Sequence, residues 1–519
     1  MKWNRLGRAI CLFTGIVFAG AAHATTYYVD YSTGNDQNNG TSTATPWQHA
    51  PGMVGCVHNC SIAPAPGDKI ILKGGVTWPN GTMSWNISFS GSASNPIYFG
   101  VNQTWYTGSS WTRPILNAGG DPVTGNGNTN TFINLTGNYV QLDNFEFTGM
   151  FFNDSYSKYG DNSYINKGGS THSYITNNYF HNWSWASGSK LDGLNVILGS
   201  TTDNYDIGSY AAYNVFDGSD SEGPAGRAIY GSPGVVYGNY CGNMSNCFVL
   251  HVVSVHDNLI ENLQMDFEGG HPNAIESTTD DAYGWWAGGG YSGIGGLIYN
   301  NVVRHLGSGV VGIWDAPNSS NTSYVFNNVE YDTAAGNVLN ITPPNGNNTP
   351  GGTFISNNTI ECGPDSNPSA ACSNNVDTKS TSNFYNNHYI TNNTAPNNGP
   401  AIGTDTYVLQ SKAVANDQGY TSEETPAFSP AGGSDATVGA GKNNQTSTCN
   451  LNSLLVALCQ DTTYAVSYDQ STHTVTYPAR PTRGRPSSGS WDAGAYQFSA
   501  AAATGSTPAP PQGLAATVN

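Results

Sequence analysis

The feature that most constrains the fold is a short phrase that recurs along the middle of the chain. It consists of an apolar residue, one or two small or polar residues, an asparagine and then β-forming residues. Its asparagines are Asn144, Asn178, Asn214, Asn239, Asn258, Asn301, Asn328, Asn358 and Asn387, at steps of 34, 36, 25, 19, 43, 27, 30 and 29 residues. Strand-like phrases at such a period, without helical periodicity, indicate a β-solenoid, because one coil cannot bury its own apolar face. We expect each asparagine to form a left-handed corner and to hydrogen-bond to its equivalent in the next coil.

The composition limits the partners of the protein. Only 10% of residues are charged, and 17 Lys and Arg face 35 Asp and Glu, giving a net charge of -18. A nucleic-acid partner is excluded because binding one needs a basic surface. Beyond the N-terminus no stretch reaches the length of a transmembrane helix, so we expect no membrane span. We expect a monomer.

The N-terminus and the cysteines both indicate export. Residues 1–24 combine three cations, an apolar run from Ala9 to Phe18 and a small-x-small site at Ala22 to Ala24, which predicts a signal peptide and a secreted or periplasmic protein. The remaining eight cysteines form four close pairs. We expect four disulfides, since an even count in an exported protein favours them: Cys56 with Cys60, Cys241 with Cys247, Cys362 with Cys372, and Cys449 with Cys459.

Several segments resemble one family. These segments are the Asn-Asn corners near Asn178, Asn301 and Asn358, the opening segments 26–30, 34–41, 45–47 and 66–72, and the segment 491–498. They resemble the right-handed parallel β-helix proteins of the pectate-lyase-like superfamily, which are secreted bacterial proteins. The resemblance implies an all-β right-handed parallel β-helix with an N-terminal cap and C-terminal closing strands.

The same resemblance divides the chain. It implies a cap and first coils at 25–129, β-helix repeats at 130–395, and further coils with a closing strand at 396–499. Residues 500–519 are rich in Ala, Pro and Ser, which predicts a flexible tail. The fold hosts polysaccharide lyases, glycoside hydrolases and non-enzymatic adhesins, so activity has to be argued from side chains.

A second repeated phrase indicates where a glycan would bind. Aligned by pattern, the phrases place Asp192, Arg227 and Asn273 in one column and Asn195, Tyr230 and Glu276 in another. Neighbouring coils lie about 4.8 Å apart, so side chains on one outer face can act together on one glycan. A register shift of one residue would turn these columns inward.

The residue types in and beside these two columns favour a polysaccharide lyase. Breaking a uronide by β-elimination needs a base at C5 and a cation that neutralises the carboxylate, which Arg227, Lys190 and His271 would supply. The use of Arg227 as a base rests on the resemblance, because an arginine is ordinarily always protonated. The oxygen-rich loop with Asp217, Asp220 and Glu222 is a candidate Ca²⁺ site. The alternative for that loop is a solvated acidic turn, because the full spacing of a calcium loop is missing.

Two other functions remain open. A glycoside hydrolase would need two flanking carboxyl groups, for which Glu276 and Asp192 are candidates with His271 tuning one of them. A non-catalytic glycan-binding or adhesive solenoid needs no such pair. In each case Trp285, Trp286 and Trp314 are candidates for stacking on sugar rings, and Asn195, Tyr230 and Asn273 for hydrogen bonding to the glycan.

Overall fold

The path of the chain is a coil of short strands. The protein is described from a computed structural model over residues 24–498, except 120–121, 124–129, 153–161, 186–193, 200–207, 222–225, 232–233, 251–253, 265–272, 279–293, 317–321, 335–336, 342–351, 364–366, 368–372, 377–382, 393–406, 421–427, 444–447 and 478–479. Consecutive strands fall in turn into three long sheets, here called A, B and C, with 12, 12 and 10 strands. Within each sheet every pairing is parallel and joins one coil to the next. The right-handed parallel β-helix predicted from the sequence is thereby confirmed.

The strands are short, as the spacing of the asparagine phrases requires. Sheet A consists of Thr26–Val29, Lys69–Gly74, Ile97–Tyr106, Val140–Asp143, Ser173–Thr176, Tyr210–Ala212, Val235–Tyr237, Ser254–His256, Ile294–Tyr299, Thr322–Phe326, Thr353–Ser356 and Asn383–Tyr385. Sheet B consists of Thr77–Trp78, Ile115–Asn117, Glu146–Thr148, Tyr179–His181, Val215–Asp217, Tyr240–Gly242, Leu259–Glu261, Val302–Leu306, Val329–Thr333, Thr359–Glu361, Asn387–Ile390 and Tyr407–Gln410. Sheet C consists of Trp85–Ile87, Asn130–Leu135, Asn162–Asn166, Leu194–Leu198, Arg227–Gly231, Asn246–Leu250, Asn273–Thr278, Val311–Ala316, Asn337–Ile341 and Ser373–Val376.

A few smaller elements complete the described chain. Pro122–Val123, Met150–Phe152 and Trp183–Trp185 form a three-stranded parallel sheet, and Ser467–Asp469 pairs antiparallel with Thr474–Thr476. One α-helix, Lys412–Asp417, is capped by Ser411, whose Oγ accepts from the Val414 N–H. The 3₁₀ helices are His58–Cys60, Asn80–Thr82 and Ser453–Cys459. None of the helices that the structure describes has the length and apolarity to cross a membrane.

A ladder of buried asparagines joins sheet A to sheet B. Its members are Asn178, Asn214, Asn239, Asn258, Asn301, Asn328, Asn358 and Asn387. From one coil to the next, the Oδ1 atom accepts both the backbone N–H, at 2.9–3.1 Å, and the Nδ2 group, at 3.0–3.1 Å, of the preceding asparagine. A buried amide is stable only when it is hydrogen-bonded, and the stack satisfies these groups coil by coil.

The expectation for the corner asparagines is partly wrong. The left-handed residue is the one before each ladder position, such as Asn177 or Asn300, with φ of 57° and 56°. The corner and the ladder are therefore separate roles, which explains why the sequence repeats Asn-Asn. In the coil of Asn144 the ladder position is occupied by Phe145, whose N–H donates to Asn178 Oδ1, while Asn144 itself has the left-handed conformation.

The interior of the coil is packed by apolar side chains that form continuous rows along each sheet. In sheet C the inward row includes Ile133, Ile165, Ile197, Ile229, Phe248, Ile275, Ile313 and Leu339, all of which belong to one buried cluster. In sheet B, Phe147, Phe180 and Phe216 stack at 4.7 and 5.1 Å between ring centroids. Continuous apolar rows of this kind stabilise the solenoid because each coil covers the next.

The N-terminal end of the coil is closed by a loop that contains Trp47. Its backbone bridges to Val29 beside the first strand, its indole is buried and stacks on Tyr27 at 4.7 Å, and its Nε1 donates to the Asn38 carbonyl. The loop also contains the Cys56–Cys60 disulfide. The loop therefore covers apolar residues that would otherwise face water at the end of the solenoid.

The C-terminal segment runs back along the outside of the coil, and we call residues 428–498 the strap. Up to the antiparallel pair Ser467–Asp469 and Thr474–Thr476 it contacts corners progressively nearer the first coils, and after that pair it returns towards the last coils. Its hydrogen bonds join Gly494 to Asn386, Arg485 to Asn327, Thr463 to Asp257, Tyr468 to Asp217 and the carbonyls of Thr472 and His473 to Arg113. At the predicted closing strand, Trp491 forms an isolated antiparallel bridge with Gly441.

Local disulfides agree with the expected pairing. Cys56 bonds to Cys60, Cys241 to Cys247 and Cys449 to Cys459. Cys362 is also disulfide-bonded, whereas its expected partner Cys372 lies outside the described residues. These bridges close short loops, so the fold is held mainly by coil stacking.

Candidate functional site

The outer face of sheet C carries the described residues that the sequence predicted for catalysis and glycan binding, namely Arg227, Tyr230, Asn273, Glu276 and Trp314. In its strands two consecutive apolar residues face the core, as Ala228 and Ile229 do in Arg227–Gly231. The residues on either side of this apolar pair, here Arg227 and Tyr230, therefore face outwards. This irregularity explains why the outward positions recur at a spacing of three.

The register corrects the first member of both predicted columns, because the residue beside Arg227 in the preceding strand is Asn195 and not Asp192. Asn195 pairs with Arg227, so the expected alignment of Asn195 with Tyr230 is wrong by three residues. The residue beside Tyr230 is Leu198, with which it forms a small separate apolar cluster. The polar-apolar-apolar phrase beginning at Asn195 is the signal that would have given the correct register, because it matches the phrase beginning at Arg227.

Arg227 and Tyr230 form one end of the site. The guanidinium carbon of Arg227 lies 5.2 Å from the centroid of the Tyr230 ring. Both residues are buried, each 6% exposed. A cation over an aromatic face is attracted by the ring, and more strongly when little water is present. The arrangement holds a positive charge in place on the outer face of sheet C.

Asn273 and Glu276 lie two strands further along. Asn273 Nδ2 donates to Glu276 Oε2 over 2.8 Å, and the Asn273 backbone N–H donates to Asn246 Oδ1 over 2.9 Å. Asn246 belongs to the strand between those of Arg227 and Asn273 and was not among the predicted residues. Its own phrase, Asn246 followed by two apolar residues, was the missed signal. Amides thus connect the cationic and the anionic parts of the strip.

Trp314 extends the row beyond Glu276. The register places Trp314 beside Glu276 and Asn340 beside Trp314. Trp314 is 7% exposed, so its ring is largely covered, and Asn340 is half-buried. The described strip therefore runs from Arg227 and Tyr230 through Glu276 to Trp314.

The strands of sheet C contain two carboxylates, and they face opposite sides. Asp315 is fully buried and accepts from Thr353 Oγ1 over 2.9 Å, across to sheet A. Its register partners are Ser277 and Ile341, and Ser277 in turn pairs with Leu250. Ile341 and Leu250 are core residues, so Asp315 faces inwards. Among the described residues of these strands, Glu276 is thus the carboxylate on the outer face, and a hydrolytic pair does not form there.

The predicted Ca²⁺ loop is engaged in hydrogen bonds. Asp217 accepts from Tyr468, Asn243 and the Ser219 N–H, at 2.9, 2.9 and 3.0 Å. Asp220 lies 2.6 Å from His181 Nδ1. Within the described ranges no three metal-ligating side chains come together, and the described part of this loop does not form an oxygen cage. Ca²⁺ binding stays a prediction.

The pair of Asp220 and His181 has shifted acidities. Burial lowers the pKa of His181, but hydrogen bonds to Asp220 and Glu146 outweigh it and raise that pKa to about 9. Burial alone would raise the pKa of Asp220, but the hydrogen bond from His181 outweighs burial and lowers that pKa. The charged pair joins the strand Tyr179–His181 to the turn that follows Val215–Asp217, which is a structural role.

Several predicted residues cannot be placed relative to this strip. Lys190, Asp192, His271, Glu222, Trp285 and Trp286 lie outside the described residues, as do the side chain of Asn195, the signal segment up to residue 23 and the tail from residue 499. Their predicted roles stay predictions.

Comparison with known proteins finds only distant structural similarity. No protein-family model matches it, and a search of curated proteins finds no match. It is similar to the GH136 lacto-N-biosidase from Eubacterium ramulus, at 12% identity over 74% of this chain and 68% of that one, with a TM-score of 0.37. It is also similar to a rhamnogalacturonan lyase, at 13% identity over 75% of this chain and 88% of that one, with a TM-score of 0.36. Pectate lyase Pel9A is similar at 16% identity over 92% of this chain and 98% of that one, also with a TM-score of 0.36. Likenesses at this level carry no argument about activity.

Proposed function

We propose that this parallel β-helix is a polysaccharide lyase that binds its substrate along the outer face of sheet C. The observation that carries the proposal is the strip in which the cation Arg227 and the carboxylate Glu276 lie on one face, two strands apart. Two strands correspond to about 10 Å between the backbones, a distance that the long Arg227 and Glu276 side chains can span to act on one uronate unit.

Arg227 would neutralise a uronate carboxylate. A guanidinium stays charged at every ordinary pH and matches the planar carboxylate with two donors. Tyr230 beneath it keeps the group oriented through the contact at 5.2 Å. Neutralising the carboxylate stabilises the enolate that forms when the C5 proton leaves, which is the electrostatic part of the catalysis.

Glu276 is the described candidate for the base. It would take the C5 proton, the C–H electrons would form the C4–C5 double bond, and the bond from C4 to the glycosidic oxygen would break. The leaving oxygen then takes a proton from the acid form of Glu276 or from water. Asn273 holds the carboxylate by its 2.8 Å hydrogen bond. Lys190 and His271 remain proposed alternatives for the base.

The charge distribution narrows the substrate. The strands of sheet C contain one cation, Arg227, and the chain as a whole carries a net charge of -18. A dense polyanion would be repelled by such a protein. The proposed substrate is therefore a glycan in which uronate units alternate with neutral sugars, bound by the exported protein outside the cell.

The test separates three activities. The mature protein is incubated with acidic and neutral polysaccharides, with Ca²⁺ and with a chelator, while unsaturated-uronide absorbance and new reducing ends are followed. We expect absorbance that falls by about 100-fold or more in Glu276→Gln and in Arg227→Met. The matched control is Asn134→Ala, an outer-face amide at the N-terminal side of the same sheet, which should retain activity.

Each other outcome overturns the proposal. Reducing ends without absorbance would identify a hydrolase. Saturable glycan binding without turnover would identify a binding solenoid. Activity that survives both substitutions, with the melting temperature unchanged, would move the site away from this strip.

A further inference from the structure

A cavity lies between sheet B and the strap, on a different face of the coil from the strip on sheet C. Its volume is about 500 Å³, within the usual range for small-ligand sites. The polar residues that line it include Glu261, Asn262, Arg304 and His305 from sheet B, with Tyr468 and Gln470 from the strap. The proposed lyase activity leaves this cavity without a role.

The sheet side of the cavity belongs to a column that the sequence encodes. The residues three positions after the eight ladder asparagines are His181, Asp217, Gly242, Glu261, Arg304, Tyr331, Glu361 and Ile390, so the column is mostly polar and ends in an apolar residue. The first six are register partners in sheet B, as are the last two. Strand alternation would place such a column at one surface. A charged column on the outer face of a sheet is otherwise open to water, and here the strap covers part of it.

The charges in the cavity wall are paired with each other. Arg304 Nε and Nη2 both lie 2.6 Å from Glu261 Oε2, and Glu261 Oε1 accepts from the Tyr240 hydroxyl over 3.0 Å. His305 Nδ1 is hydrogen-bonded to Asp332. Because Arg304 is paired with Glu261 and His305 with Asp332, the wall offers polar groups without a strong net charge. Such a wall favours a neutral ligand over an anion.

The strap side supplies aromatic surface and apolar contacts. The Tyr468 ring stacks on Tyr240 at 3.8 Å, which fixes its orientation. Tyr464 and Ala465 are consecutive residues with φ of 70° and 67°, a left-handed conformation that is unfavourable for residues other than glycine. Strained backbone of this kind persists when the surroundings impose it and is frequent at ligand sites. Here it places Tyr464 in the cavity wall.

We infer that this cavity binds a short neutral oligosaccharide, as an accessory site distinct from the strip on sheet C. A sugar presents hydroxyl groups, which hydrogen-bond to side chains such as Asn262, His305 and Gln470, and C–H faces, which pack on tyrosine rings. The half-exposed and exposed residues at the rim, among them His305 and Gln470, leave an entrance for the end of a glycan chain. The inference does not depend on the lyase proposal.

Calorimetric titration of the whole mature protein with neutral di- to tetrasaccharides tests this site. The probes are xylo-, cello-, manno- and galacto-oligosaccharides, with oligogalacturonides as the charged comparison. We expect at least one neutral ligand to bind with a dissociation constant of about 1 mM or below, and the oligogalacturonides to bind at least about tenfold more weakly at this site. Longer chains capped at either end then distinguish a chain end from an internal segment.

The variant Ser467→Trp fills the cavity from an exposed position. We expect it to weaken neutral binding by about tenfold or more while turnover of short substrates at sheet C is kept. Its matched control is Thr476→Trp, exposed on the paired strand and outside the lining of the cavity. The inference is overturned if no neutral sugar binds, if Ser467→Trp binds as the wild type does, or if the uronides bind equally well. Glu276→Gln should abolish turnover and leave this binding intact, so the two proposals fail separately.

Discussion

Asn273 Nδ2 donates a hydrogen bond to Glu276 Oε2, although the two residues are three positions apart on one strand. Strict alternation would put them on opposite faces. They share the outer face because Ala274 and Ile275 both pack in the core. The irregular strand is thus what creates a polar pair at the site.

Replacing Asn273 by Ala removes this donor. A hydrogen bond to a charged group contributes about 1.5–3 kcal/mol, so we expect lyase turnover to fall by roughly 10- to 100-fold. The measurement is kcat and KM on the best substrate of the panel, beside thermal unfolding. Asn134→Ala, which removes an outer-face amide elsewhere in sheet C, should keep wild-type kinetics. Equal losses in both variants would show that the amide has only a structural effect.

Asn301→Ala should destabilise the solenoid strongly. The Oδ1 atom of Asn301 accepts from the N–H and Nδ2 of Asn258, and its Nδ2 donates to Asn328 Oδ1 and to the Val255 carbonyl. Leaving such groups unsatisfied costs about 1–3 kcal/mol each, so we expect a loss of about 3 kcal/mol in the free energy of unfolding.

The neighbouring residue provides the control for this change. Asn300 has a left-handed φ of 56°, which glycine adopts without strain, so Asn300→Gly should change stability by less than about 1 kcal/mol. Denaturant titration compares the two variants. A larger effect at Asn300 than at Asn301 would contradict the division between corner and ladder.

Stability should fall between neutral and alkaline pH through His181. Its pKa in the folded protein is about 9, above the value of about 6.5 in an unfolded chain. Its contribution is therefore fully present below about pH 6.5 and is lost as the pH rises through 9. We expect His181→Gln to be less stable than the wild type at about pH 6, with the difference shrinking towards about pH 10. A difference that stays constant with pH would refute the charged pairing with Asp220 and Glu146.

Asp315 should also make the folded protein less stable as the pH rises, but over a lower pH range than His181 does. Burial raises its pKa to about 7, so the folded protein holds a proton that the unfolded chain has released. The contribution of the protonated Asp315 to stability is therefore fully present only below about pH 4, and it is lost as the pH rises through about 7. We expect Asp315→Asn, which can still accept from Thr353, to be more stable than the wild type at about pH 8 by roughly 1–3 kcal/mol.

The comparison at low pH is the control for Asp315. Near about pH 3 the two proteins should unfold at nearly the same denaturant concentration, because the wild-type side chain is then mostly neutral in both states. Glu330 provides a second case, because burial holds its pKa well above the usual range. Its carboxylate packs against Gly312 and has no hydrogen-bond partner among the described residues. Glu330→Gln should therefore show the same trend.

The sequence predicted the parallel β-helix because corner and ladder residues have strict local requirements. Asn-Asn at a corner supplies a left-handed residue and a buried amide, and few other pairs do both. The register of the outer strip was predicted correctly for Tyr230 with Glu276 and wrongly for Asn195, because two consecutive inward residues break simple alternation.

The cavity beside Arg304 was not predictable in the same way. Its walls come from residues far apart in the chain, and Tyr331 with Tyr464, whose hydroxyls lie 3.3 Å apart, are separated by 133 positions. Local patterns contain no information on which segment will return to cover a sheet. The column three residues after the ladder was readable, but the strap that makes it a cavity was not.

The strap has a consequence for how the protein is made. Each coil contacts mainly its neighbours, so coils can stack in order as the chain emerges from the ribosome or the export channel. Arg113, however, finds its partners in the carbonyls of Thr472 and His473, 359 and 360 positions later. Until those residues arrive, one edge of every stacked coil stays open to proteases and to other nascent chains. The strap thus sets when the newly made solenoid becomes resistant to degradation.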